Sequence, residues 1–229
     1  MQRSKANLNT WTDICTDTTA PFTCAFDTTT GATPDGSYDF RAVMTSTPGL
    51  KTTSATLAAR AIDNTPVRGA DVQSADKAGG KPGLIEAGDT LTLTYSSAMK
   101  ASTLISGWSG AGSAPLYFLV SNVNHVVGIA LTTNSSGTVA TGLGTVNPGG
   151  TFANRNKTVT FAATATLSSA AGGGSVVTIL LGPGTGNGLR TVTSSTTMKW
   201  TPSAAATDLA GNPSSIASVT ESGALDQDF

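Results

Sequence analysis

The sequence predicts an all-β chain of sandwich or barrel type, on three observations. Short apolar runs and apolar–polar alternations of strand length recur along most of it. Breaks rich in Gly, Pro, Asp and Asn separate them, with little room for helices between strands. Thr, Ser, Gly and Ala carry the composition, while charged residues are only 12%. Thr suits a pleated surface and Ser and Gly suit turns, whereas long helices would need more Glu, Lys, Leu and Arg.

Taken in order, the first strand signal is Asp35-Gly36, a hairpin dipeptide, followed by the alternating Tyr38 to Met44. Thr53 to Ile62 is a further strand, with Leu57 and Ile62 as core residues. The stretch Asp63-Asn64-Thr65-Pro66-Val67 breaks the pattern; Pro66 fixes its own φ and drives Thr65 to an extended conformation, so it reads as a short stiff linker. A chain of 229 residues accommodates two domains, here 1–66 and 67–229. In the second, Thr90 to Tyr95 alternates cleanly. Leu116 to Val120 and Val126 to Leu131 are nearly continuous apolar runs, suited to strands covered on both faces. Thr158 to Phe161 and Val176 to Leu181 continue the series, with breaks at 147–150 and 182–188. Met99 to Ile105 has room for a helical turn or two.

A net charge of −1 without a basic cluster gives no electrostatic footprint for nucleic acid. No apolar stretch reaches the length of a membrane-spanning helix. The opening Met1 to Asn7 has positive charge but no apolar run behind it, so it does not read as an intact signal peptide; the signal lies upstream, or export proceeds without one. Cys15 and Cys24 are near enough in sequence for a disulfide across a tight loop; the alternative is two reduced thiols. With a single distant His they do not complete a zinc shell.

Two sets of residues carry a resemblance. In the first segment Trp11, Asp17-Thr18-Thr19, Pro21-Phe22-Thr23-Cys24, Asp27-Thr28-Thr29, the stretch Asp35 to Val43 and Asp63-Asn64-Thr65-Pro66 resemble the bacterial immunoglobulin-like repeats of large surface proteins, of actinobacterial type. In the second, Glu86 to Ser96, Gly107-Trp108-Ser109-Gly110 and Asp208-Leu209-Ala210-Gly211-Asn212 resemble the related domain of S-layer and adhesin proteins. The resemblance implies two immunoglobulin-like sandwiches in tandem, extracellular or at the cell surface. It further implies a structural or adhesive role, without catalysis, whose partners are other copies or neighbouring repeats and cell-surface or matrix components. The sequence departs from the pattern at Thr45 to Gly49, where such repeats carry an Asp-x-Ala-Gly-Asn turn, which withdraws any ion ligation there. Only ten residues precede Trp11, so the first module is expected to be incomplete: either a fragment, or completed by strand addition from a neighbour, with self-assembly through open edges as a consequence.

The inventory of reactive side chains is thin. His125 is the sole imidazole, no Gly-x-Ser-x-Gly accompanies it, and it reads as a turn residue. A glycosidase pair would need Glu86, Asp89 or Asp208 to converge across a cleft, while acids in such positions mostly serve turns. The segment 182–188 lacks the Lys-Ser/Thr of a phosphate loop and reads as a turn or flexible loop. For calcium, the candidate ligands are Asp63 and Asn64 at the linker and Asp208 and Asn212 in the second segment, against their plain role as turn formers. An intramolecular Lys–Asn isopeptide bond, known in some surface immunoglobulin-like domains, has no assignable pair. Asn134-Ser135-Ser136 and Asn156-Lys157-Thr158 match the glycosylation acceptor pattern, which a Ser/Thr-rich chain meets by chance. Trp11, Trp108 and Trp200 are expected in the core; the alternative, a carbohydrate-binding module, would set aromatic residues on one exposed face.

Overall fold

The computed structural model describes residues 1–30, 33–224, 227 and 229. The chain is all-β, 3% helical and 44% strand, with antiparallel sheets throughout. No helix is long and apolar enough to cross a membrane. It divides into two compact units, Met1–Thr65 and Pro66–Phe229.

The 1–65 unit contains β1 (Gln2–Lys5), β2 (Thr12–Asp13), β3 (Gly36–Arg41), β4 (Val43–Thr45), β5 (Lys51–Thr53) and β6 (Leu57–Ile62). Four of them form a sheet ordered β2-β1-β3-β6, and β4 and β5 form a separate hairpin. β1 is paired on both sides, so the open edges of this sheet are β6 and the two-residue β2 beside Trp11. Residues 14–30, which follow β2, contain no strand and lend part of the cover a single sheet needs on its apolar face. Phe26 from this stretch packs edge-on against Phe40 at 6.2 Å, and the Arg3 guanidinium lies over both Phe26 and Tyr38. Two expectations need correction here. Asp35-Gly36 is not a hairpin turn: Gly36 opens β3, and the Asp35 carboxylate instead accepts from the Asn64 N–H (2.7 Å) and the Thr65 hydroxyl. Leu57 is not a core residue, being 51% exposed on an edge strand, while Ile62 is buried.

The 66–229 unit holds β7 (Gly69–Ala75), β8 (Thr90–Tyr95), the short helix α1 (Ala101–Leu104), β9 (Ser113–Val123), β10 (Val126–Thr132), β11 (Ala140–Asn147), β12 (Lys157–Ser169), β13 (Ser175–Thr185), β14 (Lys199–Thr201) and β15 (Val219–Thr220). All nine strands belong to one antiparallel sheet, ordered β15-β14-β11-β10-β9-β12-β13-β8-β7. The alternation of β8 buries Leu91, Leu93 and Tyr95 on one face, as its period of two requires. β10 corrects the reading of a strand covered on both faces: Ile129 and Leu131 are buried but Val126 is 71% exposed. In β9 the run Phe118-Leu119-Val120 is buried on both faces, with Gly137 from the loop between β10 and β11 set close over Leu119.

The sheet rolls until its two ends meet. Tyr95 of β8 and Trp200 of β14, each next to an end of the sheet order, pack edge-to-face at 4.8 Å. A Cβ on Gly69 of β7 would lie 2.7 Å from Val219 of β15 and 2.9 Å from Trp200, so only glycine allows this approach. Side chains close the seam: the Asp71 carboxylate accepts from the Ser222 N–H and hydroxyl, both at 3.0 Å, and the Gln73 amide donates to the Ser222 carbonyl at 2.8 Å. The enclosed interior is filled by one apolar cluster that includes Phe118, Phe152, Phe161 and Phe229 in edge-to-face contacts.

Candidate functional site

Two surface hollows are candidates. In the 66–229 unit a hollow of about 400 Å³ is lined by His125, Val126, Val127, Asn147, Gly149, Gly150 and Thr151. His125 reaches it from the two-residue turn joining β9 and β10, where Asn124 and His125 both take positive φ (52° and 65°) between the paired Val123 and Val126. That is the hairpin turn whose twist matches the flanking strands, and Asn is among the residues that tolerate it best. The opposite wall is held by Asn147, whose Oδ1 accepts the Gly149 N–H at 2.9 Å. Among the described residues no carboxylate lines the hollow to orient the imidazole.

In the 1–65 unit a hollow of about 210 Å³ is lined by Arg3, Ser4, Lys5, Leu8, Thr10, Thr12, Pro34 and Tyr38. Its guanidinium is already engaged, donating from Nη1 to the Thr33 hydroxyl at 2.6 Å while stacked on two rings. The Ser4 hydroxyl accepts the Thr10 N–H and donates to the Lys5 carbonyl. These contacts hold the β1–β2 connection in shape.

The acids serve their own turns. Asp89, fully buried, accepts the N–H groups of Lys77 (3.0 Å) and Glu86 (2.6 Å). Glu86 accepts the Lys81 N–H and pairs with Lys77 at 3.5 Å; the Lys81 hydrogen bond first, then Lys77, hold its carboxyl below the usual range against the opposing effect of desolvation. Asp208 is buried with both oxygens on Asn212, one on its N–H (2.8 Å) and one on its side-chain amide (3.0 Å). In the linker Asp63 accepts the Thr65 N–H, and the Asn64 side-chain Oδ1 accepts the Thr28 hydroxyl. These hydrogen bonds place Asp208 with Asn212 in one turn and Asp63 with Asn64 in another, so the structure does not bring the four residues together as one set of ligands. Among the described residues no group of three or more His, Cys, Asp or Glu side chains converges.

Cys15 and Cys24 form a disulfide with Cα atoms 6.1 Å apart. The loop it closes is further shaped by Asp17, which accepts the N–H groups of Thr23 (2.8 Å) and Thr19 (2.9 Å); these hydrogen bonds, Thr23 first, lower its pKa. The segment 182–188 is not simply a loop: Gly182 to Thr185 belong to β13, and Gly184 leaves the space that the Phe161 ring fills. Trp108 and Trp200 are buried, whereas Trp11 is half-buried with the Arg41 guanidinium 4.0 Å above its ring. Trp11 therefore corrects the expectation of three core tryptophans: it sits beside the two-residue edge strand β2, where a guanidinium covers its ring in place of apolar side chains. The Tyr95 hydroxyl is enclosed with no partner among the described residues, and burial pushes its pKa well above the usual phenol range, so it stays neutral.

The sequence reading missed two polar hubs. Asp39 of β3 is buried and ties β3 to both neighbours, accepting from the Asn7 N–H (3.1 Å) and the Ala59 N–H (2.9 Å). Its signal was an acid between Tyr38 and Phe40, at a position where alternation allows a solvent-facing residue as readily as a buried one. The Asp71–Ser222 closure spans 151 positions, and no local pattern encodes it. No family model matches the chain, no curated protein matches it, and no solved structure matches it.

Proposed function

We propose that the chain is a non-catalytic structural or adhesive module of a bacterial surface protein, working outside the cell as two immunoglobulin-like sandwiches in tandem. The observation that carries this reading is the interior of the 66–229 unit: a rolled sheet whose inner face is filled by aliphatic and aromatic side chains, with Asp89 and Asp208 engaged in turns and Asp71 at the seam. The Cys15–Cys24 disulfide supports an oxidising compartment. Open edges at β6 and β2 offer backbone groups for pairing with other copies, the route to self-assembly. The carbohydrate-binding alternative has less support, because Phe22 is the one exposed aromatic side chain among the described residues and a sugar platform uses several.

The test is a panel of ester, glycoside and peptide substrates together with a polysaccharide array read by tryptophan fluorescence. No turnover and no saturable sugar binding is expected, with concentration-dependent association in sedimentation. Turnover that His125→Ala abolishes would overturn the reading in favour of an enzyme, and saturable quenching by one polysaccharide would overturn it in favour of sugar binding.

A further inference from the structure

We infer that Asn187 is a site of spontaneous covalent modification, at which the backbone nitrogen of Gly188 attacks the Asn187 side-chain carbonyl carbon. A bond forms between that nitrogen and Cγ, the Cγ–Nδ2 bond breaks, and the Gly188 N–H proton leaves with the departing ammonia. Water then opens the succinimide at either carbonyl: cleavage of the Cγ–N bond gives aspartate, and cleavage at the main-chain carbonyl gives isoaspartate. No oxidant, reductant or enzyme is required.

Three observations converge. Asn187-Gly188 is the single Asn-Gly pair in the chain, and only glycine leaves the attacking nitrogen unshielded by a Cβ. Asn187 is exposed in the bend that follows β13, so its amide is free to swing toward the main chain. The Gly188 N–H has no hydrogen-bond partner among the described residues, although its carbonyl accepts the Asn154 N–H at 2.7 Å. The nucleophile is therefore unengaged while the residue bearing it is held in place. Asn134, followed by the small Ser135, is the internal contrast. Its Oδ1 accepts the N–H groups of Thr138 and Val139, and its Nδ2 donates to the Thr138 hydroxyl at 2.7 Å, which locks the amide away from its own backbone.

The product alters its surroundings. Gly188 sits against the Lys157 stem, where an added Cβ would lie 2.9 Å from Cγ, and the product adds a negative charge at position 187, one residue before this packed glycine. Isoaspartate also lengthens the main chain by one carbon beside the Asn154–Gly188 hydrogen bond that pins this loop to the start of β12.

The test incubates the whole folded chain at neutral and at mildly acidic pH, followed by peptide mapping and isoaspartate detection, with Asn187→Gln as a variant and circular dichroism as the fold check. The expected result is that the Asn187 peptide gains a single mass unit several-fold faster than the Asn134 peptide. Conversion should be faster at neutral pH, because the attacking nitrogen must lose its proton, and should vanish in Asn187→Gln. Conversion of Asn187 no faster than that of Asn134, or insensitive to pH, would overturn the inference.

Discussion

The two units of this chain reach a fixed shape by different means. In the 66–229 unit a continuous cluster of buried aliphatic and aromatic side chains fills a rolled sheet. In the 1–65 unit, Tyr38 and Ile62 are the buried apolar side chains among the described residues, while Met1, Leu8, Phe22, Met44, Leu50 and Leu57 are exposed. What holds the smaller unit is a set of cross-links: one disulfide, the carboxylates of Asp17, Asp27, Asp35 and Asp39 accepting backbone N–H groups, and guanidinium groups stacked on aromatic rings. The difference follows from size. A sheet of four short strands has too little apolar surface to enclose, so local covalent and polar ties take over the role that burial plays in the larger unit.

The sharpest break of this comparison is in the larger unit. Trp200→Ala removes a fully buried ring and its Nε1 hydrogen bond to the Leu143 carbonyl, and is expected to cost about 3–5 kcal/mol there. Hydrogen exchange on the whole chain should show lost protection in β8, β11 and β14 with β1 and β3 unchanged; equal loss in both units would mean they do not fold separately. The converse is removal of the disulfide. Cys15→Ser with Cys24→Ser opens a loop with a sequence separation of nine. It should lower the stability of the smaller unit by about 2–3 kcal/mol in denaturant titration, with the larger unit unaffected.

Next comes Asp39. Replacing it by Ala strands the Asn7 and Ala59 N–H groups, at an expected cost of about 1–3 kcal/mol, and Asp39→Asn should cost less because one acceptor remains. The smallest and most graded effect is that of pH. The Thr23 and Thr19 N–H groups lower the Asp17 pKa, the Thr29 hydroxyl and N–H lower that of Asp27, and the Thr65 hydroxyl and Asn64 N–H lower that of Asp35. Carboxylates depressed on folding contribute stability that is present above the ordinary carboxylate range and is lost as pH falls through their lowered values. Acid titration followed by hydrogen exchange should therefore loosen the turns at 17–23 and 27–30 and the tie between Asp35 and Asn64 below about pH 4, where unperturbed Asp begins to protonate. Loosening that begins near neutrality would point to a different titrating group.

What was legible beforehand follows the same division. The alternation of Thr90 to Tyr95, the strands around Leu116 to Val120, Thr158 to Phe161 and Val176 to Leu181, and the helical turn near Ala101 could all be read locally, because burial against a large core imposes a period on the sequence. The smaller unit resisted the same reading. Its order depends on which N–H each carboxylate finds, so Asp35 served a distant Asn64 rather than a hairpin, and Leu57 lay on an open edge. Of the candidate site, the turn position of His125 was legible, since Asn-His between two apolar runs suits a tight connection. The hollow around it was not, because its other wall comes from Asn147 at the end of β11 and from Gly149, Gly150 and Thr151 in the break that follows, and no local pattern pairs that break with the β9–β10 turn.

The seam between β7 and β15 has one further consequence. The strand that opens the larger unit and the strand that closes it are spatial neighbours, joined by Asp71, Gln73 and Ser222. These contacts hold the two strands together without a covalent link between them. A circularly permuted version, with the two ends spliced across the seam and new ends opened at the exposed Asn134–Thr138 turn, would keep every core neighbour it has now.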